Sequence, residues 1–445
     1  MSRRPVVGIF FVVYAIYLAC PIATTFDSKW LVPTVLSLLR EGDLDLNEYA
    51  AAIAHGPHGT VQVHGRWYNE YPLGPSLVAL PFIAGIDVFC RAVEPISSGF
   101  PVLARSIGEW RRHFNGTGDI DLEYWNTAQR LIASLVVALA VALFFVICVE
   151  FLSPLRALAL TGIFALCTSC LSTASRALWQ HGPSLLFLTL ALLALIRAQR
   201  RSRWLSLAGV SIAVSYLMRP TNSIAVALIS AYLLLTQVRN SSKYLLGAAV
   251  VGLPWIVLNL KLYGFVLPPY YLPTRFLFLP QTHFLEGLAG TLISPARGLL
   301  TFTPVLLFVP AGLWFKARSK ELGWLDITLA LIIVLHWLVI ASSISWWGGH
   351  CYGPRMFTDV LPFLAYFLIP VVARLRWRGL LTQRLWMCTF AALAVLSFLI
   401  HLPGATSWPA YRWNSEPTEV GLHPDRLWDF DDLQPLRGAR LFRRR

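Results

Sequence analysis

Apolar residues run through this chain in long unbroken stretches, separated by short polar links in which arginine recurs. Eleven such stretches fall near residues 6–24, 130–150, 157–175, 183–198, 204–218, 222–238, 244–262, 299–315, 324–343, 357–373 and 385–402. They approach the roughly 20 residues that an α-helix needs to cross the hydrocarbon core of a bilayer. The pattern predicts an all-α polytopic membrane protein with about 11 transmembrane helices. The shorter runs predict tilted or irregular helices. A further run, 75–93, holds Pro81, Gly85 and Asp87. A mid-bilayer carboxylate costs roughly 2.5–3.5 kcal/mol on insertion scales, so this segment is expected to be re-entrant or interfacial.

The basic residues give the orientation. They gather in the links Arg197/Arg200/Arg201/Arg203, Arg239/Lys243, Lys316/Arg318/Lys320 and Arg374/Arg376/Arg378, and Arg3 and Arg4 precede the first run. Placing all of them in the cytoplasm requires an odd number of crossings, which eleven spans satisfy only if 75–93 is not one of them. The N-terminus is then cytoplasmic and the C-terminus periplasmic. The expected domains are a membrane domain over 1–402, with a long first outer loop (25–129) containing interfacial helices and a further outer loop (263–298), followed by an outer tail over 403–445. On this arrangement 20 of the 23 acidic residues face outward, all but Glu150, Glu321 and Asp326. The first run lacks a small-x-small cleavage site and is expected to stay as an uncleaved span.

Composition narrows the function. Only 13% of residues are charged against 56% apolar, which excludes a soluble enzyme. The net charge of +14 sits in the orientation clusters, without the basic stripe and interleaved aromatics that would track nucleic acid. The seven cysteines are scattered with no C-x-x-C pair, so neither a disulfide framework nor a zinc site is expected. No phosphate-binding P-loop and no G-x-S-x-G elbow occurs, which excludes an ATP-driven pump and gives no sign of a serine hydrolase. The working face is the outer one.

Asp27 lies where the first span reaches that face, and a partly desolvated carboxylate there suits general-base work. A helix N-cap is its other reading. The first loop continues with Asp43, Asp45 and Glu48, then with Trp67, Tyr68, Glu70 and Tyr71 ahead of a Pro/Gly-bounded helix. Aromatic rings stack on the C–H faces of sugars while carboxylates accept from hydroxyls, although an interfacial aromatic belt has the same composition. Five arginines stand near outer span ends: Arg176, Arg219, Arg275, Arg297 and Arg355. Guanidinium groups there match phosphate, or else reach out to lipid head groups. The string Ser345–Arg355 holds Trp346, Trp347 and His350 among three glycines and a proline, implying tight non-helical backbone close to something bound. His55, His58 and His64 share one loop, and Asn115–Glu123 alternates oxygen donors. A divalent cation is the one cofactor these leave open, against ordinary solvated loops.

With these residues in view, the chain resembles the GT-C membrane glycosyltransferases, in particular those related to protein O-mannosyltransferases and the bacterial lipid A aminoarabinose transferases. The resemblance rests on Asp27 just after the first span, the long first outer loop, and the Pro-bounded helix at Tyr71-Pro-Leu-Gly-Pro75. It also rests on the strings Trp347–Arg355, Ser294-Pro-Ala-Arg-Gly298 and Trp428–Gln434. Three features depart from it: Ser28 stands where many relatives have a second acid, Gln180-His181-Gly182 where they often have an aspartate, and Tyr-Pro-Leu-Gly where the aminoarabinose transferases have Lys-Pro-Pro-Leu. The resemblance implies an inverting enzyme of the bacterial inner membrane that takes a sugar from a polyprenyl-phosphate donor to a glycan, lipid or protein acceptor. Asp27 would be the base and arginines such as Arg355 and Arg297 would hold the leaving phosphate, while His181 joins the sugar-contacting candidates. A transporter or flippase of lipid-linked saccharides is the rival, but it would place polar residues at mid-membrane. An O-antigen polymerase or ligase would place its large outer loop late in the chain.

Overall fold

The computed structural model describes residues 4–24, 27–116, 121–271, 283–375 and 381–437. It is nearly all helical, and among the described residues the one sheet is a two-stranded hairpin, Thr60–Val63 with Arg66–Asn69. That hairpin closes on His64 and Gly65, both at positive φ (50° and 80°), the conformation a two-residue turn needs to follow the strand twist.

Every apolar stretch read from the sequence is occupied by helix. Among the described residues, seven helices are long and apolar enough to cross a membrane: Gly74–Gly99, Tyr124–Cys148, His181–Ala198, Val238–Tyr263, Trp324–Ala341, Arg355–Arg374 and Leu381–Thr406. Others are shorter, such as Arg4–Ala19, Pro154–Leu166 and Trp204–Met218. The bundle centre is built by Leu122–Cys148, His181–Ala198 and the segmented stretch over 355–374, which is 83% buried. Val238–Tyr263 and Leu381–Thr406 are only 17% and 22% buried and present their apolar surface outward, as helices facing lipid do. Small residues let neighbours close up: a Cβ on Gly209 would lie 2.0 Å from the Tyr244 carbonyl oxygen.

The 75–93 run is one helix, Gly74–Val93, and not the broken backbone of a re-entrant hairpin. Near its start Ser76 donates to the Leu31 carbonyl at 3.1 Å, and further along Trp110 Nε1 donates to Asp87 at 3.4 Å. Its buried face, Ala79, Ile83 and Cys90, packs with Leu31–Leu36, Trp110, Phe114 and the first half of Leu122–Cys148. The helix packs against one end of the bundle, and its length would let it cross. Arg91 pairs with Asp87 at 2.6 Å, which removes the objection that the carboxylate raised.

The tail after the last long helix is folded. The last long helix runs to Thr406, beyond the expected boundary at 402, and residues 407–437 double back over the 294–298 and 346–353 strings. Trp413 Nε1 donates to the Asp432 carbonyl at 2.7 Å, and Ser294 Oγ donates to the Leu427 carbonyl at 2.6 Å.

Candidate active site

The site begins with how the chain leaves its first helix. Arg176 is fully buried and donates to the carbonyls of Tyr17 (2.7 Å) and Cys20 (2.9 Å), the last turn of Arg4–Ala19 and the residue after it. Cations at a helix C-terminus satisfy its orphan carbonyls and complement its dipole. Arg176 itself sits after a single π-helical turn, Cys170–Ala174, which also feeds the chain toward Trp179 and His181. This anchoring delivers Asp27 to a pocket at the end of the bundle.

Asp27 accepts from Arg355 Nη1 at 2.7 Å and from the Tyr71 hydroxyl at 3.4 Å, and lies 3.6 Å from His58 Nε2. Burial alone would raise the Asp27 pKa; the Arg355 charge, aided by His58, overrides it and holds the carboxyl well below the usual range. Tyr71 moves the opposite way: burial, then the adjacent Asp27 charge, raise its pKa and keep the hydroxyl protonated as a donor. The Arg355 guanidinium lies 4.6 Å above the Trp179 ring, and the Tyr71 and Tyr270 rings are 4.8 Å apart.

Deeper in the wall, Asp359 Oδ2 takes both Arg219 Nη1 and, at 3.2 Å, His181 Nδ1, while Arg219 Nη1 also lies 2.7 Å from His181 Nδ1. Asp359 is fully buried, and its Oδ1 has no partner among the described residues. The cavity between these groups encloses about 80 Å³. Four buried donors that line it make no hydrogen bond to the described residues: Ser28 Oγ, Trp179 Nε1, Thr221 Oγ1 and Arg355 Nε. Buried polar groups are rarely left so, and several around one cavity indicate a polar ligand.

Of the residues read from the sequence, the fold brings Asp27, Tyr71, His181, Arg219 and Arg355 to this pocket. The others lie elsewhere. Asp45 pairs with Arg66 at 2.7 Å, Glu48 accepts from Ser37, and Asp43, Trp67 and Tyr68 belong to the same hairpin region. Tyr68 packs edge-on against Tyr263, and Glu70 is buried beside the pocket without lining it. Trp346 and Trp347 pack under the tail, and His350 lies 3.3 Å from Glu419.

Arg176 serves the first helix, as above. Arg297 serves the tail: it donates to the carbonyls of Trp347 (3.1 Å), Ala296 (2.8 Å) and Gly349 (3.3 Å), to Gln434 Oε1 (2.9 Å) and to Asn414 Oδ1 (2.6 Å). All three guanidinium nitrogens are spent on the protein, so Arg297 has no donor to offer a phosphate here. Arg275 and part of Asn115–Glu123 lie outside the described residues, among which no three His, Cys, Asp or Glu side chains gather as a metal site.

Asp359 and Trp179 were not singled out from the sequence, and His58 was read only as one of three loop histidines. Asp359 stands inside an apolar run, where an ionisable residue is itself a functional signal. Trp179 and His58 carry no such mark.

The fold and pocket together define a polytopic helical membrane protein with a charged, donor-rich cavity at one end of its bundle. Residues 125–261, roughly a third of the chain, match the model of the dolichyl-phosphate-mannose-protein mannosyltransferase family, a GT-C type of membrane glycosyltransferase. The match covers His181 and Arg219 and leaves out Asp27 and Arg355. No curated protein matches the chain.

Proposed function

We propose that this protein transfers a sugar from a polyprenyl-phosphate donor to an acceptor hydroxyl on the outer face of the inner membrane, with inversion. The observation that carries the reading is the convergence of Asp27, Arg355 with its unpartnered Nε, and three further unpartnered buried donors on one pocket. In the reaction the acceptor oxygen attacks the anomeric carbon and the bond from that carbon to the phosphate oxygen breaks. Polyprenyl phosphate leaves, and Asp27 takes the acceptor proton. Arg355, with its free Nε–H, and Arg219 stabilise the negative charge that develops on the leaving phosphate. Trp179 and Tyr71 supply ring faces and donors to the sugar.

The Asp27–Arg355 pair gives an order to these events. A carboxylate held by a guanidinium is a weak base. A donor phosphate that draws Arg355 to itself removes the strongest influence lowering the Asp27 pKa. The base is then strengthened only once the donor is in place, so that proton abstraction from the acceptor follows donor binding.

Asp27→Asn tests the reading, with polyprenyl-phosphate mannose as the first donor tried. Loss of a general base costs about 10²–10⁴-fold in rate. The expected variant stays folded with a modestly lowered unfolding temperature, still binds donor, and turns over at that reduced level. Near-native turnover by Asp27→Asn would overturn the assignment.

A further inference from the structure

A second cavity lies at the opposite end of the bundle. The helix His181–Ala198 connects the two, since His181 lines the Asp27 pocket while Ile196 and the adjoining Gln199 line the second cavity. At 1.5 Å per residue these ends stand about 25 Å apart, close to the thickness of a bilayer core. The second cavity encloses about 680 Å³ against about 80 Å³ for the first. Its wall includes four charged side chains: Lys316, Glu321, Asp326 and Arg374.

These charges divide into a closed pair and an open pair. Asp326 Oδ1 accepts from Lys316 Nζ at 2.5 Å and from the Tyr366 hydroxyl at 2.8 Å, and Oδ2 accepts from Gly323 N at 2.8 Å. Both oxygens of that carboxylate are engaged, and it neutralises Lys316. Among the described residues Arg374 donates only to neutral groups, the Pro370 carbonyl at 3.2 Å and Ser319 Oγ at 2.5 Å, and lies over the Phe315 ring. Glu321 is exposed and forms no ion pair among the described residues. Trp324 at the rim is 68% exposed, as aromatic residues are at a membrane boundary.

We propose that this cavity binds the head group of an amine-bearing phospholipid, its phosphate on Arg374 and its ammonium on Glu321, with the acyl chains leaving past Trp324. One unneutralised cation and one unneutralised carboxylate in the same wall complement a zwitterion. An anionic head group would leave Glu321 facing like charge, and a quaternary amine has no N–H to give it. Basic pockets between helices at a bilayer surface are established lipid phosphate sites, and the added carboxylate sets the preference here. The cavity is separate from the Asp27 pocket, so this proposal does not depend on the glycosyltransferase reading.

The test is native mass spectrometry of the intact detergent-purified protein with phosphatidylethanolamine, phosphatidylcholine and phosphatidylglycerol of identical acyl chains. Phosphatidylethanolamine is expected to be retained about tenfold better than the other two, the equivalent of one charge-assisted hydrogen bond. Arg374→Gln loses that retention by about the same factor. Glu321→Gln abolishes the preference over phosphatidylglycerol, while Glu321→Asp keeps it. Equal retention of the three lipids by the native protein, or an unchanged preference in Glu321→Gln, overturns the proposal. Glycerophosphoethanolamine at the same concentration leaves the lipid bound; displacement by this soluble ester would overturn the lipid as the ligand. Thermal unfolding of each variant, read in parallel, separates lost binding from lost fold.

Discussion

At the scale of single residues, the Asp27–Arg355 contact is the electrostatic feature of the pocket that is simplest to perturb. With Arg355 at 2.7 Å the Asp27 carboxyl is ionised across ordinary pH, so the free enzyme has no acid limb from Asp27 in its pH profile. Arg355→Gln removes the larger lowering influence and leaves burial, which raises the pKa, opposed only by His58. An acid limb is then expected nearer the ordinary carboxylate value of about 4, with reduced turnover besides. A kcat/KM profile of the variant as flat as the native one would show that Arg355 does not govern Asp27. Asp359 calls for a different measurement, because it touches Arg219 and His181 from inside the wall. Removing one partner of a buried ion pair destabilises by about 3–5 kcal/mol. Asp359→Asn should therefore lower the unfolding temperature as well as activity; an unchanged unfolding temperature would place the charge balance elsewhere.

At the scale of elements, the tail and the two strings beneath it form one unit. Gln434 joins them, accepting from Arg297 and from the Gly353 backbone (3.2 Å) and donating to the Cys351 carbonyl at 3.0 Å. Gly348, Gly349 and Gly353 all have positive φ, and a Cβ on Gly353 would lie 2.5 Å from the Phe302 ring. This crowded turn ends at Arg355, so the tail helps to aim the arginine that faces Asp27. Arg297→Ala strands several buried acceptors at about 1–3 kcal/mol each and should free the tail. The expected result is rapid proteolysis within 407–437 together with weaker turnover. Arg297→Lys should rescue neither, since one ammonium cannot reach five acceptors. A tail that stays protected while donor KM rises would return Arg297 to the phosphate-binding role suggested by its position in the sequence.

At the scale of the whole molecule, the bundle sets two polar cavities at opposite ends of an apolar body. Cysteines introduced at Ser106 and Leu422 should be labelled from the side that holds Asp27, and one at Arg200 only from the other, after the exposed Cys388 is replaced. Labelling of Ser106→Cys from the Arg200 side would mean that Gly74–Val93 crosses the membrane. The sequence by itself determined the class of protein, because apolar runs of spanning length admit only helices in lipid. It also marked Asp27, Tyr71, His181, Arg219 and Arg355, whose side chains are costly or unusual at their positions. It could not separate Arg355 from Arg297 and Arg176, since each is an arginine near a span end. Only the tertiary structure gave Arg297 to the tail and Arg176 to the first helix, because the carbonyls and amides that saturate a guanidinium mostly come from segments 50 to 159 residues away. For the same reason it alone paired Asp359 with His181 and Arg219. Periodicity and composition describe a residue's neighbours along the chain, whereas a buried charge is defined by its neighbours across it.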